Sequence, residues 1–536
     1  MSNSSKSVVL VGFQDQGNLG LGYLAAILMK NGYYVQIVDI KERPANILRC
    51  IKIHRPILVG FSLIFQYYIP RYTNLASFLK SEKVDCHMTV GGHYPSLRHE
   101  QILNQIPELD SVVLFEGEQT LLDLANSLSE GDGDWHQTEG IAYRENDRIV
   151  LNPLRPLIPD LDKVPFPHRT FGTSKTLGKE IQPVLATRGC PRNCAFCSIR
   201  EFYGRAPGKL VRRRSPVNVV REMRELYEEE NVSIFLFQDD DFPLIGKAGH
   251  RWVCDFITEL KHQGLVGNVI WKISCRVDEI EAKLFADMRA AGLYLVYLGI
   301  ESGTITGLKT LNKQVTVEGN VQAVATLKDL NLMFGYGFML FDPGSTFDSV
   351  RANIRFLREI IGDGSAAAVF CKMLPYSGTP IEKELVDTGR LKGSVVQPDY
   401  DFFDPALNEF YEKLTNSLAS WIHGPDAISN DLNMAWHEIA VIKRLFTEMT
   451  GLEEYEEFLR SSTQKSNEHI FRVVEEASSI FEKDKVFPFS SEELHKEAHE
   501  LSKTLLERRN SFVYLNQDRM LANLTEDTMS EKTIHL

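Results

Sequence analysis

Short, largely apolar runs alternate with segments of helical periodicity twice over in this 536-residue chain, and that alternation restricts the fold more than any other feature. In the first series the runs are 8–13, 34–40, 57–61, 87–90 and 112–115, with helical segments starting at Tyr23 and at 45–53 and 69–79. Strands apolar on both faces belong to a parallel sheet covered on both sides. Ligands of such sheets sit at the carboxyl ends of the strands. The loops there are glycine-rich or polar: 14–20, 62–66, Gly91-Gly92-His93-Tyr94-Pro95 and Glu116-Gly117-Glu118. The second series has strands at 183–187, 234–238, 269–274, 293–300, 334–341 and 367–374, and helices at 216–230, 250–263, 278–291, 317–330 and 346–361. Six such units predict an open, partial barrel with its chemistry at strand ends. Pro153, Pro156, Pro159, Pro165 and Pro167 predict an extended connector between the two series. Beyond residue 386 the pattern changes to amphipathic helices at 402–418, 435–450, 452–460, 469–481 and 492–509, with a polar end from 523.

At the start of the second series stand Cys190, Cys194 and Cys197, spaced C-x3-C-x2-C on a short loop. Three thiolates so placed can hold three irons of a [4Fe-4S] cube and leave the fourth open. A zinc knuckle or a redox pair are the competing readings. Structural zinc needs four closed ligands, and no suitably spaced His or Cys follows. Cys50, Cys86, Cys254, Cys275 and Cys371 are scattered singles, which fits a reducing cytoplasm rather than a disulfide scaffold. The N-terminus lacks a signal-peptide core, and no apolar stretch approaches a membrane span. The net charge of -13 argues against a nucleic-acid backbone as partner. The basic run 209–214 reads as a solvated loop or a local anion contact.

The cysteine loop resembles the radical S-adenosylmethionine (SAM) signature C-x3-C-x-Φ-C, with Phe196 as the aromatic residue. The resemblance implies that the open iron binds the amino and carboxylate groups of SAM, that reductive cleavage gives a 5′-deoxyadenosyl radical, and that Phe196 packs against the adenine. Other strand ends look like the same family. Gln238 and Asp239, in Phe237-Gln238-Asp239-Asp240-Asp241-Phe242, are implied to approach the SAM amino group; a Mg²⁺ site on the three carboxylates is the weaker alternative. Leu298-Gly299-Ile300-Glu301-Ser302-Gly303 resembles G-x-E-S-G, which implies that Glu301 and Ser302 bond the ribose or methionine part of SAM. Helix capping is the competing role for Glu301. The segment 338–344 is similar to F-M-x-G-x-P-G-E-T, with Phe341 and Ser345 departing from it, and 374–380 to P-Y-P-G-T-P, with Ser377 departing.

The first series, with N-x-x-x-x-Y-L-A-A, G-G-H-Y-P and F-E-G-E at successive strand ends, resembles the cobalamin-binding domain fused to many radical SAM enzymes. A nucleotide-binding unit is the competitor, but the first loop does not spell G-x-G-x-x-G. Nor does it spell D-x-H-x-x-G, so cobalamin bound without a protein histidine is implied. The implied contacts are Asn18, Leu19, Gly20, Ser62, Gly91, Gly92, His93, Glu116 and Gly117. His93 either packs against the corrin edge or caps its turn. The expected organisation is α/β: a Rossmann-like cobalamin-binding domain at 1–150, a proline-rich linker at 151–180, a partial (β/α)6 radical SAM barrel at 181–385 and an α-helical C-terminal cap over the barrel mouth at 386–536. Within the cap, Trp421-Ile422-His423 and Trp436-His437 either reach the active site or only pack helices together. The implied activity is methylation of an unactivated carbon (or phosphorus) of a small molecule. The alternative is cyclisation or ring rearrangement without methyl transfer. The cofactors implied are a [4Fe-4S] cluster, SAM and cobalamin. The implied partners are a small-molecule substrate and an electron donor such as flavodoxin or ferredoxin, in the cytoplasm. No side chain is assigned to the transfer step itself.

Overall fold

The structure is a computed structural model that describes residues 6–14, 17–130, 134–169 and 174–520. Asp15 and Gln16 of the first loop, the turn at Asp132-Gly133 and the polar end from 523 lie outside the described residues. The chain divides into two compact units, and the division departs from the four consecutive segments the sequence suggests. One unit comprises Met1–Gly172, Thr187–Ser215 and Leu374–Asp399; the other comprises Thr173–Ala186, Pro216–Met373 and Tyr400–Leu536. The cysteine loop therefore belongs to the same unit as the first sheet. The C-terminal helices share a unit with the second sheet.

The first unit is built on a seven-stranded sheet of order β2-β1-β3-β4-β5-β6-β7. Its strands are β1 (Ser7–Gly12), β2 (Tyr34–Asp39), β3 (Leu58–Ser62), β4 (His87–Gly91), β5 (Ser111–Val113), β6 (Ile141–Glu145) and β7 (Arg148–Leu151). β1 to β5 are parallel, and β6 and β7 add an antiparallel edge. Both faces are covered, as continuous apolar strands require. On one face Val9, Val11, Val59, Phe61, Met88 and Val90 pack with Ile47, Tyr72, Leu75, Leu79 and Ile102. On the other, Val8, Leu10, Ile37 and Leu58 pack with Leu21, Ala25, Leu28, Leu121 and Leu124. The Gly-Gly-His-Tyr-Pro stretch, expected as a loop, instead turns straight into a short helix, His93–Leu97. Gly92 makes this possible. Its φ is +112°, and a Cβ there would lie 2.3 Å from the Leu63 carbonyl oxygen.

The second unit carries a sheet of order β14-β13-β12-β11-β10-β9-β8: β8 (Ser174–Thr176), β9 (Lys179–Val184), β10 (Val232–Phe237), β11 (Ile270–Arg276), β12 (Leu293–Glu301), β13 (Met333–Phe341) and β14 (Cys371–Lys372). β9 to β14 are parallel, and β8 pairs antiparallel with β9. The end of the expected linker is thus a hairpin on this sheet. Burial alternates along the strands. Phe235, Phe237, Trp271, Ile273, Val296, Leu298, Phe334, Tyr336 and Phe338 are buried. Their neighbours Lys272, Ser274, Tyr297, Gly299, Gly335, Gly337 and Met339 are half-buried. A period of two sends these sets to opposite faces, so one face is packed and the other is open toward the carboxyl ends.

At the amino ends of the same open face, Ile181, Ile234, Leu236, Ile270 and Leu295 form an apolar cluster with Val441, against which Ala440, Leu445 and Phe446 also pack. The helix Ile428–Leu445 therefore stoppers the floor of the half-barrel. This helix does not cap the mouth, whereas Phe410 and Tyr411 of the helix Pro405–Ser417 pack on Phe341 at the carboxyl end of β13. His437 Nε2 lies 2.9 Å from Tyr294 Oη, and Arg444 donates to the Arg289 and Leu293 carbonyls at 3.2 and 3.1 Å. Trp421 donates to the Leu494 carbonyl and Trp436 to Thr463 Oγ1. Ile422 is buried and His423 exposed. Trp421, Trp436 and His437 are thus helix-packing residues. The segments 452–460 and 469–481 are one helix, Leu452–Asp484. Polar residues between them look like a break, but Asn467 is buried and spends its amide on the Ile361 and Ala366 carbonyls and the Ala368 N–H, so the helix continues.

Candidate active site

The cysteine loop leaves a two-stranded ribbon in which Thr187 pairs with Arg213 and Arg188 with Arg212. Gly189 follows at φ +84°, and a Cβ there would stand 2.1 Å from the Leu210 carbonyl oxygen, so only glycine allows the chain to turn into Cys190. Cys190, Cys194 and Cys197 are half-buried. The Cys197 N–H donates to the Cys194 carbonyl at 3.2 Å, and Cys197 is the N-cap of the helix Ser198–Arg205. Among the described residues no group of three or more His, Cys, Asp or Glu could hold a metal ion. A cube asks for something else, because each thiolate takes its own iron. Three half-buried thiols on one tight loop are the right donor set for it. Phe196 is half-buried beside them.

The loop is fastened by ion pairs that sequence reasoning did not foresee, two of them to Glu116, which was expected as a cobalamin contact. Arg188 is buried. Its guanidinium lies 3.1 Å from Glu116 and 2.6 Å from Glu118 and 4.9 Å over the Tyr23 ring. Arg212, also buried, reaches Glu116 at 2.8 Å. The second Glu116 oxygen accepts the Ile158 N–H at 2.7 Å. Both Glu116 oxygens are thereby committed to protein donors. The basic run is not a solvated loop, since Arg212 and Arg214 are buried and Arg214 lies over the Phe166 ring.

At the carboxyl ends of β1, β3 and β4 the residues expected around cobalamin come together. Asn18 serves its own turn, accepting the Leu21 N–H and donating to the Phe13 carbonyl. Leu19 is buried and Gly20 exposed. Ser62, Gly91, Gly92 and Gly117 are half-buried. A cluster of rings lies beside them: Phe13 on Tyr68 (4.0 Å), Tyr67 on Tyr68 (4.4 Å), Phe65 on Tyr67 (5.3 Å) and Phe65 on Tyr376 (5.4 Å). Glycines beside flat rings suit a planar macrocycle. The N-cap of the short helix His93–Leu97 is Gly92, and His93 is its first residue. Its ring stacks 4.2 Å from Phe202 on the helix that follows the cysteines, and burial pushes its pKa down to about 4.

The open face of the second sheet carries the remaining residues. Asp239 is buried, and its two oxygens lie 3.1 and 3.3 Å from the Ala186 N–H. Gln238 is exposed. Glu301 ends β12 with φ +66°, a costly conformation for a non-glycine residue. Lys313 Nζ holds its Oε1 at 3.0 Å. Glycine is needed around this carboxylate: a Cβ at Gly299 would lie 2.9 Å from Glu301 Oε1, and one at Gly337 3.1 Å from Oε2. Ser302 is fully buried and bonded to Asn353 Oδ1 at 3.2 Å, so its hydroxyl serves the strand-to-helix turn. Lys272 sits in the middle of β11. Burial lowers its pKa to about 8, with Asp239 opposing the shift.

Two family matches coincide with the two sheets: the B12 binding domain over residues 5–125 and the radical SAM superfamily over residues 184–357. An uncharacterized methyltransferase of Pyrococcus horikoshii is 30% identical over 67% of this chain and 76% of its own length. The chain belongs to the cobalamin-dependent radical SAM enzymes. As in that family, the cofactors are cobalamin, SAM and a [4Fe-4S] cluster. A second relative of this radical SAM enzyme is the anaerobic magnesium-protoporphyrin IX monomethyl ester cyclase of Rubrivivax gelatinosus, 28% identical over 68% of this chain and 66% of that protein. The fold matches the cobalamin-dependent SAM radical enzyme OxsB at a TM-score of 0.66 and 18% identity, over 96% of this chain and 79% of the other. Among the described residues no helix is long and apolar enough to cross a membrane.

Proposed function

We propose that this enzyme methylates an unactivated carbon (or phosphorus) of a small molecule or natural-product intermediate. The observation that carries the reading is the similarity to the Pyrococcus horikoshii methyltransferase over more than one domain's length. Cys190, Cys194 and Cys197 would ligate three irons. Arg188, pinned by Glu116 and Glu118, would hold their loop in place. Phe196, Gln238, Asp239 and Glu301 would receive SAM. Lys313 would keep the Glu301 carboxylate aimed, while Ser302 shapes the turn beneath it. Asn18, Leu19, Gly20, Ser62, Gly91, Gly92, His93 and Gly117 would border the corrin, with Glu116 supporting them from behind. With these groups bound, the cluster would supply the electron for reductive cleavage of SAM and cobalamin the methyl group. The chain orients them and excludes water. The electron donor would be a flavodoxin or ferredoxin and the compartment the cytoplasm.

The relationship to the monomethyl ester cyclase supports a second reading, ring formation without methyl transfer. Anaerobic reconstitution with cobalamin and methyl-labelled SAM separates the two. Methylation gives a labelled product, with S-adenosylhomocysteine and 5′-deoxyadenosine in near-equal amounts. Cyclisation gives a product that has only lost hydrogens, without S-adenosylhomocysteine.

A further inference from the structure

The open face of the second sheet holds three donors that the SAM-binding residues leave unused. Lys272 and Ser274 lie two residues apart on β11, so both face the same side. Tyr297 is the register partner of Ser274 on β12. The Lys272 amine stands 5.6 Å from the centre of the Tyr297 ring. Among the described residues, the Lys272 amine, the Ser274 hydroxyl and the Tyr297 hydroxyl make no hydrogen bond or ion pair. The nearby carboxylates are committed elsewhere, Asp239 to the Ala186 N–H and Glu301 to Lys313.

This is an expensive arrangement for the protein alone. A half-buried ammonium that makes no hydrogen bond or ion pair gives up hydration for only the Tyr297 ring and the field of Asp239 in return. The space around it is kept clear. Gly335 is the register partner of Tyr297 and Gly337 that of Gly299. A Cβ at Gly335 would lie 3.2 Å from Tyr297 Cδ2, and one at Gly337 3.3 Å from Tyr297 Oη. Below lies the apolar floor closed by Val441; above lies Glu301. One cation with two hydroxyl donors on a half-buried face is the donor set of an oxyanion site.

We propose that Lys272, Ser274 and Tyr297 form a seat for an oxyanion, a carboxylate or phosphate carried by the substrate. The assignment to substrate rests on the methyltransferase reading; the seat itself does not, because a simple oxyanion can bind without turnover.

The test is isothermal titration of the full-length, anaerobically reconstituted protein with inorganic phosphate and, separately, with acetate. One of the two is expected to bind, and which one names the substrate's acid group. K272M should weaken that binding by roughly tenfold to a hundredfold, as loss of a charged hydrogen bond does, and K272R should retain most of it. S274A and Y297F should each weaken it by about two- to tenfold. These two near-isosteric variants carry the test should K272M fail to fold. A wild type that binds neither anion at millimolar concentration overturns the proposal, as do S274A and Y297F variants with unchanged affinity. Competition decides the source. An oxyanion displaced by SAM would give the seat to that cofactor's own carboxylate and overturn the assignment to substrate, whereas simultaneous binding supports it.

Discussion

Arg188, two residues before Cys190, lies 2.6 Å from Glu118, and both side chains are buried. Breaking one partner of such a pair leaves an uncompensated buried charge, which costs about 3–5 kcal/mol. Arg188→Met should therefore lower unfolding stability by about that amount and reduce iron retained after gel filtration. Urea titration and iron assay check both. Unchanged stability with full iron would show that the pair does not hold the loop.

The cysteines themselves should behave as a set. Reconstituted wild type should carry about four irons per chain, and the triple alanine variant almost none. Retention of iron and SAM cleavage by that variant would remove the cluster from this loop.

Glu301 is held by Lys313 in a strained backbone position. Glu301→Gln keeps the shape and removes the charge. It should weaken SAM binding roughly tenfold and depress 5′-deoxyadenosine and S-adenosylhomocysteine together. A variant that loses only one product would assign Glu301 to one of the two uses of SAM.

Residues 1–150 alone should bind hydroxocobalamin poorly. The first unit also includes 187–215 and 374–399: the Gln66 side chain accepts the Ser377 N–H at 2.7 Å and donates to the Val395 carbonyl at 2.8 Å. The full chain should bind tightly, and its reduced Co(II) form should show no histidine hyperfine splitting. A fragment 1–150 with full affinity would contradict this.

Acid should destabilise the fold early. His87 and His437 are both pushed down from 6.5 to about 4, chiefly by burial. The unfolded chain takes up these protons near pH 6.5 and the folded chain only near 4, so stability is full above the upper value and falls through that window. Urea midpoints across this range should slope steeply for wild type and less so for His437→Gln. Parallel slopes would mean that His437 titrates normally in the fold.

Strand existence was legible wherever apolar runs were continuous, as in β1 to β5, because parallel strands need burial on both faces. The cysteine loop was legible because spacing is local. Two things were not. The first is Lys313 holding Glu301 and Arg188 holding Glu118: ion partners are chosen in space, and nothing in a charge's sequence neighbourhood names its partner. The second is the allocation of 187–215 and 374–399 to the first unit, since chain order does not record which sheet a returning segment joins. The helices after residue 400 were read correctly as helices, but the one at Ile428–Leu445 packs at the strand starts and not over the mouth. An amphipathic pattern specifies that a face is buried and not against what.

The stopper formed by Val441 and its neighbours makes the half-barrel a blind alley. A ligand lodged there cannot be lengthened toward the strand starts, so any tail must run outward, past Glu301. Redesign for bulkier molecules thus belongs to the loops after each strand. Shaving Val441 to alanine would remove two methyl groups from the floor and trade cohesion for reach.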